Sequence, residues 1–221
     1  MLKIRYFAIR LPVEFDQVLA FVQANSSAEW KSRLSLVHYS ATDIVLAYIV
    51  ERVLPIRRYL ENGEEVIEKA VTMDRYSVRL FKTSNKIYLS LLDPGRSTRI
   101  VVDILDAIFP DGEYFIDPVE VNSVLIQRHI GKFDSFKLVS AKIKDFEVYS
   151  GAVGRLEISS QEGLKPDIAP FLRDKFYRVD SFTYEVTHNF VKGSIQYAKN
   201  GTVRISGPLI ESAFPMFESC L

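Results

Sequence analysis

Read for the spacing of apolar and polar residues, the chain opens with a strand from Lys3 to Leu11, ended by Pro12. Phe15, Val18, Leu19 and Val22 then recur at helical spacing, which predicts an amphipathic helix over Val13 to Ala24. Leu34 to Ser40 and Ile44 to Val53 are rich in β-branched and aromatic residues and read as strands around a Ser40-Ala41-Thr42-Asp43 turn, with a helix over the second segment as the alternative. Asn62-Gly63, flanked by glutamates, marks an exposed turn.

The pattern is clearer after Asp74. Arg75 to Lys82 and Lys86 to Leu92 predict a hairpin about Thr83-Ser84-Asn85, and Asp93-Pro94-Gly95 leads into a helix from near Ser97 to Phe109, stopped by Pro110 and Gly112. A short helix follows at Val119 to His129. Next come strands at Phe136 to Phe146 and Val153 to Ser159 and a helix around Lys165 to Lys175. Strands at Ser181 to His188, Ser194 to Ala198 and Thr202 to Ser206, the last pair turning at Asn200-Gly201, precede a closing helix from Leu209 to Phe217.

Hairpin-plus-helix units of this kind imply an α+β fold: an antiparallel sheet, or sheets, with helices packed on one face. The stretch between Asp111 and Phe133 contains Pro118 and Gly131. It divides the chain into subdomains 1–115 and 133–221 with a hinge at 116–132, the alternative being one continuous domain.

Composition fits a packed protein, with 48% hydrophobic and 25% charged residues. Cations interrupt the first residues, so no secretory signal is expected, and the apolar runs at Ile44 to Val50 and Ile100 to Phe109 are too short to span a bilayer. The single cysteine, Cys220, forms no intramolecular disulfide and no cysteine-based zinc cluster. A reducing, cytoplasmic setting is the expectation.

Net charge is zero, but the charges are segregated. Arg75, Arg79, Lys82, Lys86, Arg96 and Arg99 stand against Asp93 alone, and Asp103, Asp106, Asp111, Glu113, Asp117 and Glu120 follow without a cation. A second basic stretch, Arg128 to Lys144, comes after. Strand alternation puts Tyr76, Val78 and Leu80 on one face with Ile87, Leu89 and Leu91, leaving Arg75, Arg79 and Phe81 with Lys86 and Tyr88 on the other. A basic and aromatic face of that kind suits phosphates and stacked bases. Arg75, Arg79, Phe81, Lys86, Tyr88, Arg96 and Arg99 are therefore the candidate nucleic-acid-binding residues, against the plainer reading of a solvated sheet face.

Gly95-Arg96-Ser97-Thr98 could hold an anion at a helix start, although Ser97 also reads simply as an N-cap, and no second glycine or Gly-Lys-Ser/Thr completes a phosphate loop. The acidic run lacks the spacing of a calcium loop. Pro110-Asp111 and Pro166-Asp167 are not followed by the Glu-x-Lys of a metal-dependent nuclease. Arg33 and His38 match an Arg-x4-His spacing found in helical ribonucleases, but in an extended setting. His38, His129 and His188 are scattered, and no serine sits in Gly-x-Ser-x-Gly. Gly151 to Gly154 reads as a turn or bulge.

The closing helix is apolar around most of its circumference, which predicts either a buried helix or one seated in a partner, including a second copy. These readings together point to a non-catalytic binding protein that contacts nucleic acid or a protein and needs no cofactor or metal. The alternatives are an enzyme, hydrolase or nuclease-like, whose site is assembled only by the fold, and a structural subunit of a larger complex.

Overall fold

The computed structural model describes residues 1–25, 32–83, 86–95, 98–164 and 178–221. They form eleven strands and four α-helices, with antiparallel strand pairing, and two compact units: Ala8–Ile116, and Met1–Phe7 together with Asp117–Leu221. The expected helix at Lys165 to Lys175 lies outside the described residues, as do Ser97 and part of the Thr83-Ser84-Asn85 turn.

The Ala8–Ile116 unit begins with the end of β1 (Leu2–Arg10), a single 3-10 turn (Phe15–Gln17) and α1 (Val18–Asn25). The α-helix starts later than its apolar spacing predicts because Glu14, two residues after Pro12, is still extended. A meander of β2 (Ser32–Tyr39), β3 (Asp43–Tyr59), β4 (Glu65–Thr83) and β5 (Lys86–Leu92) follows, then α2 (Arg99–Ile108). The helical alternative for Ile44 to Val53 is therefore excluded. Leu46, Val78, Leu80, Leu89 and Leu91 share one sheet face and are completely buried, each contributing roughly 1.5–3 kcal/mol of transfer free energy. Val18 and Val22 of α1, and Ile104, Leu105 and Ile108 of α2, are likewise buried. The rings of Phe21 and Phe109 meet at 5.3 Å.

In the other unit, the helix expected over Val119 to His129 is present as α3 (Ser123–Ile130), starting four residues late, and it follows the short strand β6 (Phe115–Pro118), whose last two residues belong to this unit. The helix cannot begin sooner because extended Asn122 caps it, its Oδ1 accepting from the Leu125 N–H at 2.9 Å. The strand order runs β8 (Ala152–Ser159), β7 (Ser135–Tyr149), β9 (Arg178–His188), β10 (Val191–Ala198), β11 (Thr202–Ser206), with β11 antiparallel to Leu2–Arg5 of β1. The core holds Tyr6, Ile195, Tyr197, Val203 and Ile205, closed by Ala213 and Phe217 of α4 (Ile210–Glu218). Among the described residues no helix is long and apolar enough to cross a membrane.

Candidate functional site

The β4–β5 register pairs Arg79 with Ser90, Phe81 with Tyr88 and Thr83 with Lys86. Arg75, Arg79, Phe81, Lys86 and Tyr88 thus share a face, as their alternation requires. That face is covered where the aromatic side chains lie. Phe81 and Tyr88 are buried and stack on each other, with centroids 5.5 Å apart and planes inclined by 23°, and desolvation raises the Tyr88 hydroxyl above its ordinary pKa. Neither ring is open to a base.

Arg79 stands over the Phe81 ring at 5.0 Å and directs its Nε at the Asp43 carboxylate, 2.8 Å from Oδ2. Arg99, on α2, lies 3.8 Å from Asp103 one turn on, an exposed pair worth only about 0.3–0.5 kcal/mol. Arg75 and Lys86 are exposed, and Arg96 lies outside the described residues.

The larger surface feature is the distal part of β3 and β4. The partner strand β2 follows β3 only as far as Val50, and β5 joins β4 only from Val78 onward. Beyond those points, 51–59 pair with 65–73 as a two-stranded ribbon that no other strand among the described residues flanks, about 30 Å long at the usual rise of a strand. Three exposed cross-strand ion pairs lace it: Arg52–Asp74 at 2.6 Å, Arg57–Glu65 at 3.4 Å and Arg58–Glu68 at 3.5 Å. Such pairs contribute little each, and an isolated two-stranded ribbon is marginally stable in water.

Its side chains are unusual for a solvated ribbon. Val53, Tyr59, Ile67, Val71 and Met73 project from one face and Leu54 and Ile56 from the other, all between 43% and 71% exposed. Large apolar groups gathered like this outside a core are uncommon on the surface of a monomer.

The ladder also fixes which backbone groups are free. Opposed residues in an antiparallel pair alternate between bonding each other and turning outward. At the tip the Leu60 N–H donates to the Glu64 carbonyl, and at the base the Lys82 N–H donates to that of Thr42, both at 2.9 Å and both continuing the β3–β4 register. Even-numbered residues therefore bond within the ribbon and odd-numbered residues face outward. Pro55, which has no N–H, sits at an outward position of β3 and interrupts that edge. On β4 the outward residues from Glu65 to Ser77 include no proline.

Among the described residues, the other unit carries at least two clefts. One, of about 660 Å³, is lined by Phe136, Lys137, Glu185, Lys192 and Ser194 among others, with Lys137 2.8 Å from Glu185. The second, of about 400 Å³, brings together Glu120 and Asp180, which pair with Lys199 and Lys144. The hydroxyls of Ser194 and Ser206, on neighbouring strands, bond each other at 2.6 Å. Among the described residues no group of three or more His, Cys, Asp and Glu gathers to hold a metal ion. In α4, Ala213, Phe214 and Phe217 are buried within their own unit, so of the two roles open to that helix the apolar face serves the core.

The ribbon escaped sequence reading for two reasons. Pro55 looks like a strand terminator, and Val66, Ile67, Ala70 and Val71 fall at helical spacing. Apolar residues at both odd and even positions between the Asn62-Gly63 turn and the predicted strand were the available signal. No protein-family model matches the chain, and no curated protein is similar to it.

Proposed function

We propose that this is a non-catalytic binding protein whose working surface is the β3–β4 ribbon and whose ligand is another protein. One observation carries the reading: seven large apolar side chains stand exposed on a ribbon too thin to bury them itself. A protein surface of matching shape would remove that area from water, at about 25 cal/mol per Å².

A protein ligand is favoured over nucleic acid by what became of the basic and aromatic cluster. Phe81 and Tyr88 are buried, and Arg79 and Arg99 face carboxylates. Residues 51–77 carry Arg52, Arg57, Arg58, Lys69 and Arg75 against Glu51, Glu61, Glu64, Glu65, Glu68 and Asp74, which gives no positive field for a phosphate backbone.

The test is a photo-crosslinking side chain placed at Ile67 or Val71, with Phe190, fully exposed on the β9–β10 turn, as control. Irradiation of producing cells should give a discrete protein adduct from the ribbon positions and none from position 190. No adduct from the ribbon, or the same adduct from all three sites, would overturn the reading.

A further inference from the structure

We propose that the partner is a second copy of this chain, joined through the edge of β4 that no described strand covers, in an antiparallel ladder centred on Ala70; this rests on the ribbon being the partner surface. The two edges of the ribbon are not equivalent. Pro55 leaves β3 without a donor in the middle of its outer edge, whereas β4 presents Glu65, Ile67, Lys69, Val71, Met73, Arg75 and Ser77 with N–H and C=O turned outward. A long unprotected edge bearing apolar side chains is a template for another strand.

Side-chain chemistry selects the register. Two copies of one strand pair antiparallel about a twofold axis normal to the sheet, which keeps odd residues opposite odd ones. With the axis at Ala70, Glu65 faces Arg75 of the second copy, Ile67 faces Met73 and Lys69 faces Val71, each contact occurring twice by symmetry. All these residues turn their backbone outward, so the six opposed pairs supply about twelve inter-chain hydrogen bonds. Ala70 meets its own symmetry mate, a close non-bonded pair that favours a small side chain.

Every register within two residues of this one opposes like charges. Centring on Val71 sets Glu68 against Asp74, on Thr72 sets Lys69 against Arg75, and on Lys69 or Glu68 sets that residue against itself. Arg75 is exposed and pairs with no carboxylate among the described residues, so it is available to Glu65 of the second copy. The result is a four-stranded sheet in which Ile67, Val71 and Met73 of both copies, flanked by Val53, form one apolar face.

The experiment is molar mass by light scattering over a wide concentration range. The wild-type chain should approach twice its 25.3 kDa as concentration rises. Lys69→Pro removes an outward N–H without touching the β3–β4 ladder, and should run as a monomer. Val53→Pro, the same change on the edge Pro55 already interrupts, should stay dimeric. Glu65→Arg should raise the dissociation constant at least about tenfold, and Glu65→Arg with Arg75→Glu should restore it. A wild type that remains monomeric, a dimeric Lys69→Pro, or a failure of the double charge reversal to restore pairing would each overturn the self-pairing. The reversal pair decides the matter even if Lys69→Pro does not fold. A crosslinked adduct at Val71 whose mass is not twice that of the chain, together with a monomeric wild type, would sink self-pairing while leaving the ribbon a binding surface.

Discussion

His129 shows how a single residue departs from its usual solution chemistry. It is completely buried among the rings of Phe133, Tyr197 and Phe217. Its Nε2–H donates to the Ala213 carbonyl at 2.9 Å, so Nδ1 carries the lone pair that accepts the Tyr197 hydroxyl at 2.6 Å. Burial holds the ring neutral and drives its pKa from 6.5 down to about 4, and desolvation likewise pushes the Tyr197 hydroxyl up. A depressed folded-state pKa means that the unfolded chain binds the proton first. The contribution is therefore complete above pH 6.5 and is lost as pH falls toward 4, by about 3 kcal/mol over that window. Urea unfolding of wild type and His129→Gln at pH 7 and pH 4.5 should show a flatter pH dependence in the variant; parallel losses would contradict the assignment. In the sequence His129 is only one of three scattered histidines, and it is the tertiary fold, which brings Tyr197 and Ala213 to its two nitrogens, that gives it this environment.

At the scale of elements, two identical Asn-Gly turns behave differently. Gly63 and Gly201 both have φ of +80°, but nothing lies within 4 Å of a Cβ added at Gly63, whereas one at Gly201 would stand 2.6 Å from the Tyr6 carbonyl oxygen and 2.9 Å from that of Val119. Those strands cannot withdraw freely, because Gly201 itself accepts the Tyr6 N–H and Tyr6 accepts the Val119 N–H. Gly63→Ala should cost about 1 kcal/mol of backbone strain. Gly201→Ala should cost about 3 kcal/mol or more, since strain and a clash with backbone add. Equal losses in chemical denaturation would refute the difference. Both turns were legible in the sequence, as were the β4–β5 and β10–β11 hairpins and α2, whose apolar periodicity is strong. Alternation also assigned Arg79, Phe81 and Tyr88 to one face. What it could not say is whether that face is covered, since a buried aromatic pair and an exposed stacking platform have the same period. The ribbon failed for the reverse reason: its apolar residues lie on both faces and so mimic a helix.

At the scale of the molecule, the chain runs twice through strand, helix, antiparallel strands and helix: β1, α1, β2 to β5 and α2, then β6, α3, β7 to β11 and α4, although Met1–Phe7 of β1 belongs to the unit that holds the second set. The connectivity differs within that order, because β7 lies between β8 and β9 whereas β2 to β5 form a simple meander. The ribbon therefore belongs to the first unit alone and extends strands whose other halves are locked in its core, anchoring at one end a surface that would otherwise fray. The central claim, that the β4 edge of this ribbon is occupied by a second copy, is tested most directly by residue-resolved amide hydrogen exchange at high protein concentration. The outward amides of Ile67, Lys69, Val71 and Met73 should be protected to the same degree as their inward neighbours, while Val53 and Arg57 on the β3 edge exchange freely. Fast exchange at the outward amides of both strands would contradict it.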